Sequence, residues 1–179
     1  EQMAAQQLSI VALLADQIND ELEQRMAMLE LVARDITPSH LAEPADLQAL
    51  LEQRPVLHSL FNGGVVACQT TGVAVAEVPL SAGRVGVNYM HIDNVSAALK
   101  EGRSTVGRPA MGAKLRAPVF GLAVPIRNGQ GAVIGVLGGI VNLELPNFLD
   151  HIFENRYGET GGYILVAPRP RLVVTATAK

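Results

Sequence analysis

The chain has 179 residues and a hydrophobic fraction of 49%, which suits one domain, or one domain with part of a second, and provides for a sizeable core. Aromatic residues make up only 4% and tryptophan is absent, so the core must be aliphatic. The net charge of −3 gives no basic footprint for nucleic acid, and the single cysteine, Cys68, excludes an intrachain disulfide and is interpreted as a buried structural thiol.

Residues 1–36 are predicted to form one long helix with a coiled-coil seam. Apolar residues recur at alternating spacings of three and four, interrupted only by Arg25, and no glycine or proline intervenes before Thr37-Pro38. At 1.5 Å per residue such a helix is about 50 Å long, so its N-terminal half is expected to project and to pair with a second copy. The alternative is a helix that lies flat on its own domain. The seam positions are Leu8, Val11, Ala15, Ile18, Leu22, Arg25, Leu29, Val32 and Ile36.

Short elements follow this helix. Pro44 opens a second helix, "ADLQALLEQR", which Pro55 closes, and the strands "GGVVACQ" and "GVAVAEV" then form a hairpin in which Glu77 is expected to be exposed. The next helix, "DNVSAALKEGR", has Asp93 or Asn94 as its predicted N-cap and Gly102 just past its end. A short strand is predicted over residues 104–108.

The stretch 117–143, "APVFGLAVPIRNGQGAVIGVLGGIVNL", is predicted to be a β-hairpin at the centre of a sheet. Its polar interruption excludes a membrane-spanning helix, and the absence of a Gly-Lys-Ser/Thr sequence excludes a Walker phosphate loop. Asn128-Gly129 is expected to supply the positive φ of the turn. Val136 and Ile140 are expected to be almost wholly buried.

The remaining elements complete an α+β pattern. The segment "LPNFLDHIFENRYG" is predicted to be a helix with Pro146 in its first turn and Gly158 after it, and "GGYILVA" and "RLVVTATA" are predicted strands joined by "PRPR". Runs of antiparallel strands with helices set to one side predict an α+β fold. The terminal sequences lead us to expect that the chain is part of a longer protein.

The sequence contains no recognisable catalytic constellation. Its four histidines fall in different elements without metal-ligand spacing, and the pair formed by His91 and Asp93 is explained more simply by helix capping. No nucleophile, base and orienting group can be nominated together, so we expect no enzyme, no metal and no cofactor in this chain.

Polar residues concentrate between residues 84 and 116, where they lie between two apolar sheet segments. A loop and a helix that cover an aliphatic sheet and supply a few polar groups describe a small-molecule pocket. The cations Arg108, Lys114 and Arg116 favour a small anion, which we predict to be a carboxylate other than a standard amino acid. The alternative is an ordinary solvated loop. The candidate ligand-binding residues are Tyr89, His91, Asp93, Arg108, Arg116 and Phe120.

In its order of elements the chain resembles the extracytoplasmic Cache sensor domains, PAS-like modules of bacterial transmembrane receptors, and specifically the double-Cache type. The matching segments are the long N-terminal helix, "GGVVACQTTGVAVAEVP", "GVNYMHIDNVSAALKEGRSTVGRP", and "APVFGLAVPIRNGQGAVIGVLGGIVNLELPNFL". The segment "GGYILVAPRPRLVVTATAK" is similar to the opening hairpin of the membrane-proximal subdomain, although "PRPR" replaces the usual Asp-Gly turn.

This resemblance implies a long N-terminal helix and a five-stranded antiparallel sheet with flanking helices. It implies a dimerisation and signalling helix over 1–36, a membrane-distal sensor domain over 37–158 and the start of a second subdomain over 159–179. The resemblance further implies a periplasmic location, flanking transmembrane segments, homodimerisation and a small-molecule ligand. The cytoplasmic output would be a diguanylate cyclase, phosphodiesterase, histidine kinase or chemotaxis module.

One departure from the family concerns the ligand. Members that bind amino acids carry an arginine and aromatic residues just before and within the helix that covers the pocket, where this chain has Ile92 and Asn94. An α-carboxylate would lose its principal partner there, which argues against ordinary amino-acid recognition. Two other functions remain open: a structural dimerisation domain without a ligand, and a cytoplasmic PAS domain with haem or flavin.

Overall fold

The computed structural model describes residues 2–153, 164–167 and 172–176. The helices are α1 (Gln2–Asp35), α2 (Pro38–Ala42), α3 (Pro44–Glu52), α4 (Pro55–Leu60), α5 (Asp93–Glu101) and α6 (Phe148–Phe153). The strands are β1 (Val65–Gln69), β2 (Ala74–Val78), β3 (Thr105–Val106), β4 (Ala110–Met111), β5 (Pro118–Arg127), β6 (Val133–Asn142), β7 (Ile164–Ala167) and β8 (Leu172–Ala176). No helix in the described ranges is both long and apolar enough to span a bilayer.

The predicted α+β fold is confirmed. An antiparallel sheet has the strand order β2-β1-β6-β5-β3, and the short β4 pairs with β5 as a sixth strand that was not predicted. The β5–β6 hairpin lies at the centre, as expected. β7 and β8 pair with each other in a separate sheet, as "GGYILVA" and "RLVVTATA" predicted, whereas Gly158 lies outside the described residues.

The turn between β5 and β6 differs from the prediction in one detail. The positive φ, 83°, belongs to Gly131 and not to Asn128-Gly129. Asn128 instead caps the loop, because its side-chain Oδ1 accepts hydrogen bonds from the backbone N–H groups of Gln130 and Ala132. The loop therefore has five residues, 128–132, and glycine is needed at its fourth position.

The main core lies between one face of the sheet and helices α1 to α4. Leu29, Val32 and Ile36 are buried there against strand residues such as Leu122 and Leu137. The N-terminal half of α1 is mostly exposed, with Leu8 exposed to 71% and Val11 to 55%. A 34-residue helix is about 51 Å long, so α1 has a C-terminal half that packs on the domain and an N-terminal half that projects.

The only charged residue of the seam, Arg25, is buried at the junction of α1 with the rest of the domain. Its Nε donates a hydrogen bond to Leu60 O at 3.0 Å, and its guanidinium lies 4.1 Å from the centre of the Phe148 ring. Glu21, one helical turn earlier, pairs with the same guanidinium. These contacts tie α1 to the end of α4 and to α6, and they explain why a cation is tolerated in an apolar seam.

Candidate ligand-binding site

The second face of the sheet is lined by small residues. Ala123 of β5 stands opposite Gly138 of β6, which in turn stands opposite Val66 of β1. A methyl group added at Gly138 would come no closer than 3.5 Å to another atom, and one at Gly121 would first meet the amide of Asn94 at 3.5 Å. The centre of this face, which we call the floor, therefore has room for a further methyl group at Gly138 and at Gly121.

The cover consists of α5 and of residues 79–92, which connect β2 to α5 and which we call the cover segment. Val95 and Ala98 of α5 are buried against Val66, Cys68, Ala123 and Val136 of the floor. Ile140 packs at the border of this cluster and is only partly buried, so the expectation for it was wrong, whereas Val136 is 1% exposed as predicted. The partial exposure of Ile140 shows that α5 does not cover the whole face.

Asn94 is the polar residue that α5 directs towards the floor. It is 7% exposed, and its Nδ2 donates a hydrogen bond to Gly121 O at 3.1 Å. The predicted N-cap role was wrong for both candidates, because Ile92 occupies the N-cap position and no side chain caps the helix. Asp93 is exposed in the first turn, whereas Asn94 is turned inward onto β5.

Two buried polar atoms beneath α5 have no partner. Among the side chains of the described residues, Asn94 Oδ1 and Thr105 Oγ1 are the buried oxygen or nitrogen atoms that form no hydrogen bond. Thr105 belongs to β3 and stands opposite Ala123, so it shares the floor that Asn94 faces. A buried polar group without a partner costs about 1–3 kcal/mol, which a ligand with a hydrogen-bond donor would recover.

Tyr89 is the predicted site residue that packs against the cluster beneath α5. It is half-buried against the cluster that contains Cys68, and its backbone N–H donates to Gly72 O at 2.8 Å. Burial raises the pKa of the Tyr89 hydroxyl, and the nearby Arg84 guanidinium opposes the shift. Burial likewise raises the pKa of the Cys68 thiol to about 12 against the opposing charge of Arg84, so Cys68 is protonated and buried, as its structural interpretation requires.

The other predicted residues lie elsewhere. His91, Asp93, Arg108 and Arg116 are exposed, and neither guanidinium group forms a hydrogen bond or ion pair among the described residues. Arg108 follows Gly107, whose backbone N–H donates to Gly121 O beside Asn94. Arg116 adopts a φ of 52° in the turn before β5.

Phe120 must be removed from the candidate site. Its ring packs edge to face on Phe148 at 6.3 Å in the main core, on the face of the sheet opposite α5. Alternation along β5 directs Phe120 and Leu122 to one face and Gly121 and Ala123 to the other.

The largest error concerns Glu77, which was expected to be exposed and is wholly buried. Its carboxylate accepts hydrogen bonds from the Arg84 Nε at 2.8 Å and from the Arg84 backbone N–H at 2.9 Å. The Arg84 Nη1 also donates to Gly63 O at 2.8 Å, and Arg84 is 3% exposed. Glu77 stands opposite Val66, so this ion pair lies on the same face as the floor and anchors the cover segment.

The described residues contain no cluster of three or more His, Cys, Asp or Glu side chains that would hold a metal ion. His91 and Asp93 are both exposed, and neither converges on a third ligand there. The site thus has an apolar floor and a helical cover. Between them lie the two unpartnered oxygens of Asn94 and Thr105 and the half-buried Tyr89, an arrangement suited to binding a small molecule.

Comparison with known proteins found no matching protein-family model and no matching curated sequence. Solved structures do match. The ligand-binding domain of the Pseudomonas aeruginosa PAO1 amino-acid chemoreceptor PctB, in complex with L-Arg, is 25% identical with a TM-score of 0.74 and coverage of 93% of this chain and 63% of that one. The corresponding domain of PctC from the same organism, in complex with GABA, is 24% identical with a TM-score of 0.70, covering 93% and 73%.

The sensor domain of the Vibrio cholerae histidine kinase DctB has a TM-score of 0.75 at 14% identity, covering 97% of this chain and 66% of that one. This chain therefore spans between 63% and 73% of the length of these three chains. The match covers almost all of this chain, including the long helix α1, the central β5–β6 hairpin and α5. The chain therefore has the fold of the ligand-binding domains of these bacterial receptors, which is the Cache-type fold that the order of its elements led us to expect.

Proposed function

We propose that this domain binds a small organic molecule between the floor and α5, and that the molecule presents a hydrogen-bond donor to Asn94 and Thr105. The observation that carries the proposal is the pair of unpartnered buried oxygens on these residues, above a floor of glycine and alanine. A purely structural domain would gain stability by replacing such atoms with apolar ones. Their presence is understandable where a ligand completes the hydrogen bonding.

The proposed ligand class follows from two groups of residues, the buried oxygens beneath α5 and the exposed arginines of the segment after it. An ammonium, amide or hydroxyl group suits the Asn94 oxygen, and exposed Arg108 and Arg116 offer cations for a carboxylate. PctB was solved with L-Arg and with L-Gln, and PctC with GABA; each of these molecules has both groups. We therefore propose a small carboxylic acid with a donor group. It would be held differently from a standard amino acid, because the family resemblance implies that Ile92 and Asn94 replace the arginine and aromatic residues of the amino-acid binders.

Replacing Asn94 by Leu is expected to weaken binding of the tightest ligand from a panel of amino acids, GABA, hydroxy acids and simple dicarboxylates by about tenfold or more, since one buried hydrogen bond is lost. The same substitution removes an unpartnered buried oxygen and also the Asn94 Nδ2 hydrogen bond to Gly121 O, which keeps the Gly107 N–H as a donor, so the unfolding midpoint is expected to change little. Calorimetry gives the first quantity and thermal unfolding the second. The opposite pattern, unchanged binding with lower stability, would assign Asn94 a structural role.

Two comparisons complete this test. Gln130→Leu makes a similar change in the exposed β5–β6 loop and should alter neither quantity. Arg108→Ala and Arg116→Ala test whether these arginines bind the carboxylate of the ligand. If binding is unchanged in both variants, the proposal that the ligand is an anion is wrong. If no member of the panel binds, the ligand-free structural domain is the better account of the fold.

We also propose that the projecting half of α1 pairs with a second copy. Leu8 and Val11 are exposed apolar seam positions, whereas Ile18 and Leu22 pack against the core of their own domain. Leu8→Asp with Val11→Asp is expected to lower self-association by at least about tenfold in sedimentation, because charge is introduced into an apolar seam. Since both residues are exposed, thermal stability should not change; equal association of the variant and the parent would exclude a dimer through α1.

In the whole receptor this domain would lie in the periplasm, between transmembrane segments outside the described chain. The output module is proposed to be a chemotaxis, histidine kinase, diguanylate cyclase or phosphodiesterase module; PctB and DctB are examples of the first two kinds. The assignment of residues 159–179 to a second subdomain remains a prediction. As a sensor domain, the chain acts by binding and not by catalysis.

A further inference from the structure

We propose that residues 60–64, which we call the relay turn, couple the cover segment to α1, with Arg84 and Arg25 as the positioning residues on its two sides. The proposal goes beyond ligand binding and concerns how a displacement of the cover segment is transmitted to α1, the helix that projects from the domain. It rests on the proposed function in one respect: a bound ligand would change the position of the cover segment.

The relay turn is held by buried arginines on two sides. Arg84, from the cover segment, donates to Gly63 O at 2.8 Å, while Arg25, from α1, donates to Leu60 O at 3.0 Å. Both arginines are more than nine-tenths buried. Each guanidinium also has a carboxylate partner, Glu77 for Arg84 and Glu21 for Arg25, so each is oriented before it reaches the turn.

The turn has little freedom to absorb a displacement between these two contacts. Gly63 N donates to Ile140 O and Ile140 N donates to Gly64 O, which fixes the turn to β6. Phe61 is 1% exposed and its ring lies directly on Gly139. Because interiors are close-packed, a shift of the cover that moves Gly63 O must move Leu60 O or break these contacts.

A further contact continues the connection towards the end of the domain. The Asn62 side chain accepts from Asn142 N at 2.6 Å and donates to Asn142 O and to Pro146 O, each at 3.0 Å. Pro146 precedes α6, whose Phe148 ring lies under the Arg25 guanidinium. The relay turn thus contacts the cover segment, α1 and the chain leading into α6, which are the three parts of the domain that a ligand signal would have to connect.

Amide hydrogen exchange on the 179-residue chain tests the coupling without any ligand. Arg84→Lys keeps a cation beside Glu77, but a single ammonium cannot match the guanidinium, which reaches the carboxylate and Gly63 O together. Exchange is expected to rise about tenfold in residues 79–92, in the relay turn and in residues 22–29 of α1, and to stay constant in the distal part of the β5–β6 hairpin. Glu77→Gln combined with Arg84→Met removes the link without leaving a buried charge and should produce the same local pattern.

Substitution on the α1 side of the relay turn distinguishes coupling between α1 and the cover segment from a local loss of stability around the substituted residue. Coupling is reciprocal, so Arg25→Lys should raise exchange in residues 79–92, which Arg25 does not contact. Arg103→Lys changes an exposed ion pair with Glu101 and should raise neither region. The proposal is overturned if Arg84→Lys loosens only the cover segment, or if exchange rises uniformly over the domain. Because no ligand is added, either result leaves the binding proposal to be judged by calorimetry.

Discussion

Arg84→Met is expected to lower the free energy of unfolding by about 3–5 kcal/mol, the usual cost of removing one partner of a buried ion pair. The substitution leaves the Glu77 carboxylate, which is 0% exposed, with the Arg84 backbone N–H as its remaining partner. It also leaves Gly63 O without the guanidinium donor. Urea unfolding, followed by circular dichroism, measures the loss.

The double variant Glu77→Gln with Arg84→Met isolates the part of this cost that is due to charge. A glutamine oxygen can still accept from the backbone N–H of residue 84, and no charge remains buried. The double variant is therefore expected to be more stable than Arg84→Met alone, although it carries one substitution more. A double variant that is less stable would show that the charge of Glu77 does not determine the loss.

Arg54→Met is the matched control. Arg54 and Asp35 form an ion pair with a 2.5 Å contact, but both side chains are substantially exposed. Exposed pairs contribute about 0–1 kcal/mol, so this variant should remain close to the parent. Comparable losses for Arg84→Met and Arg54→Met would contradict the role of burial.

The error over Glu77 shows which information the sequence lacked. "GVAVAEV" predicts a strand correctly, and an acidic residue next to its end is ordinarily exposed. Its burial depends on Arg84, seven residues later, which the cover segment brings back onto the same face. A charge in an apolar strand and an arginine between glycines and valines are a signal for such a pair, but only the fold shows that they meet.

The secondary structure was largely predictable because the hydrophobic periodicity and the positions of proline and glycine indicate the same elements. Pro44 begins a helix and Gly102 adopts a φ of 64° directly after α5, both as predicted. Pro38 and Pro55 were predicted only to end helices, and they also begin the short helices α2 and α4. The short β4 was missed because two paired residues carry no recognisable pattern. Helix caps, in contrast, depend on one residue's backbone angle, and the expected cap at Asp93 or Asn94 is occupied by Ile92.

The candidate site was predicted by region and not by residue. Polar density pointed to the cover segment and α5, where the site is proposed, and Tyr89 lies there. Asn94 was considered only as a cap and as the residue that replaces a family aromatic, since the sequence does not show whether the first turn of a helix directs a side chain inward. Thr105 offered no signal, because a threonine in a strand is common and its missing hydrogen bond is visible only in three dimensions.

Two adjacent glycines of β6 provide a test of how the two faces of the sheet are used. Gly138 and Gly139 are alike in the sequence, but alternation along the strand directs them to opposite faces. A methyl group at Gly138 would meet Val66 at an ordinary 3.5 Å, in the space under the cover. At Gly139 it would overlap the buried Phe61 ring, with 2.7 Å to its Cζ.

Gly139→Ala is therefore expected to lower the free energy of unfolding by about 1–3 kcal/mol, because the Phe61 ring is 1% exposed and must be displaced within a packed core. Gly138→Ala is expected to be neutral or to stabilise by about 0.4–1 kcal/mol, since alanine restricts the unfolded chain and its methyl group fits. Paired urea titrations of the two variants measure the difference directly. Equal losses would mean that the floor beneath α5 is as tightly packed as the main core, and that would remove the space in which a ligand is proposed to bind.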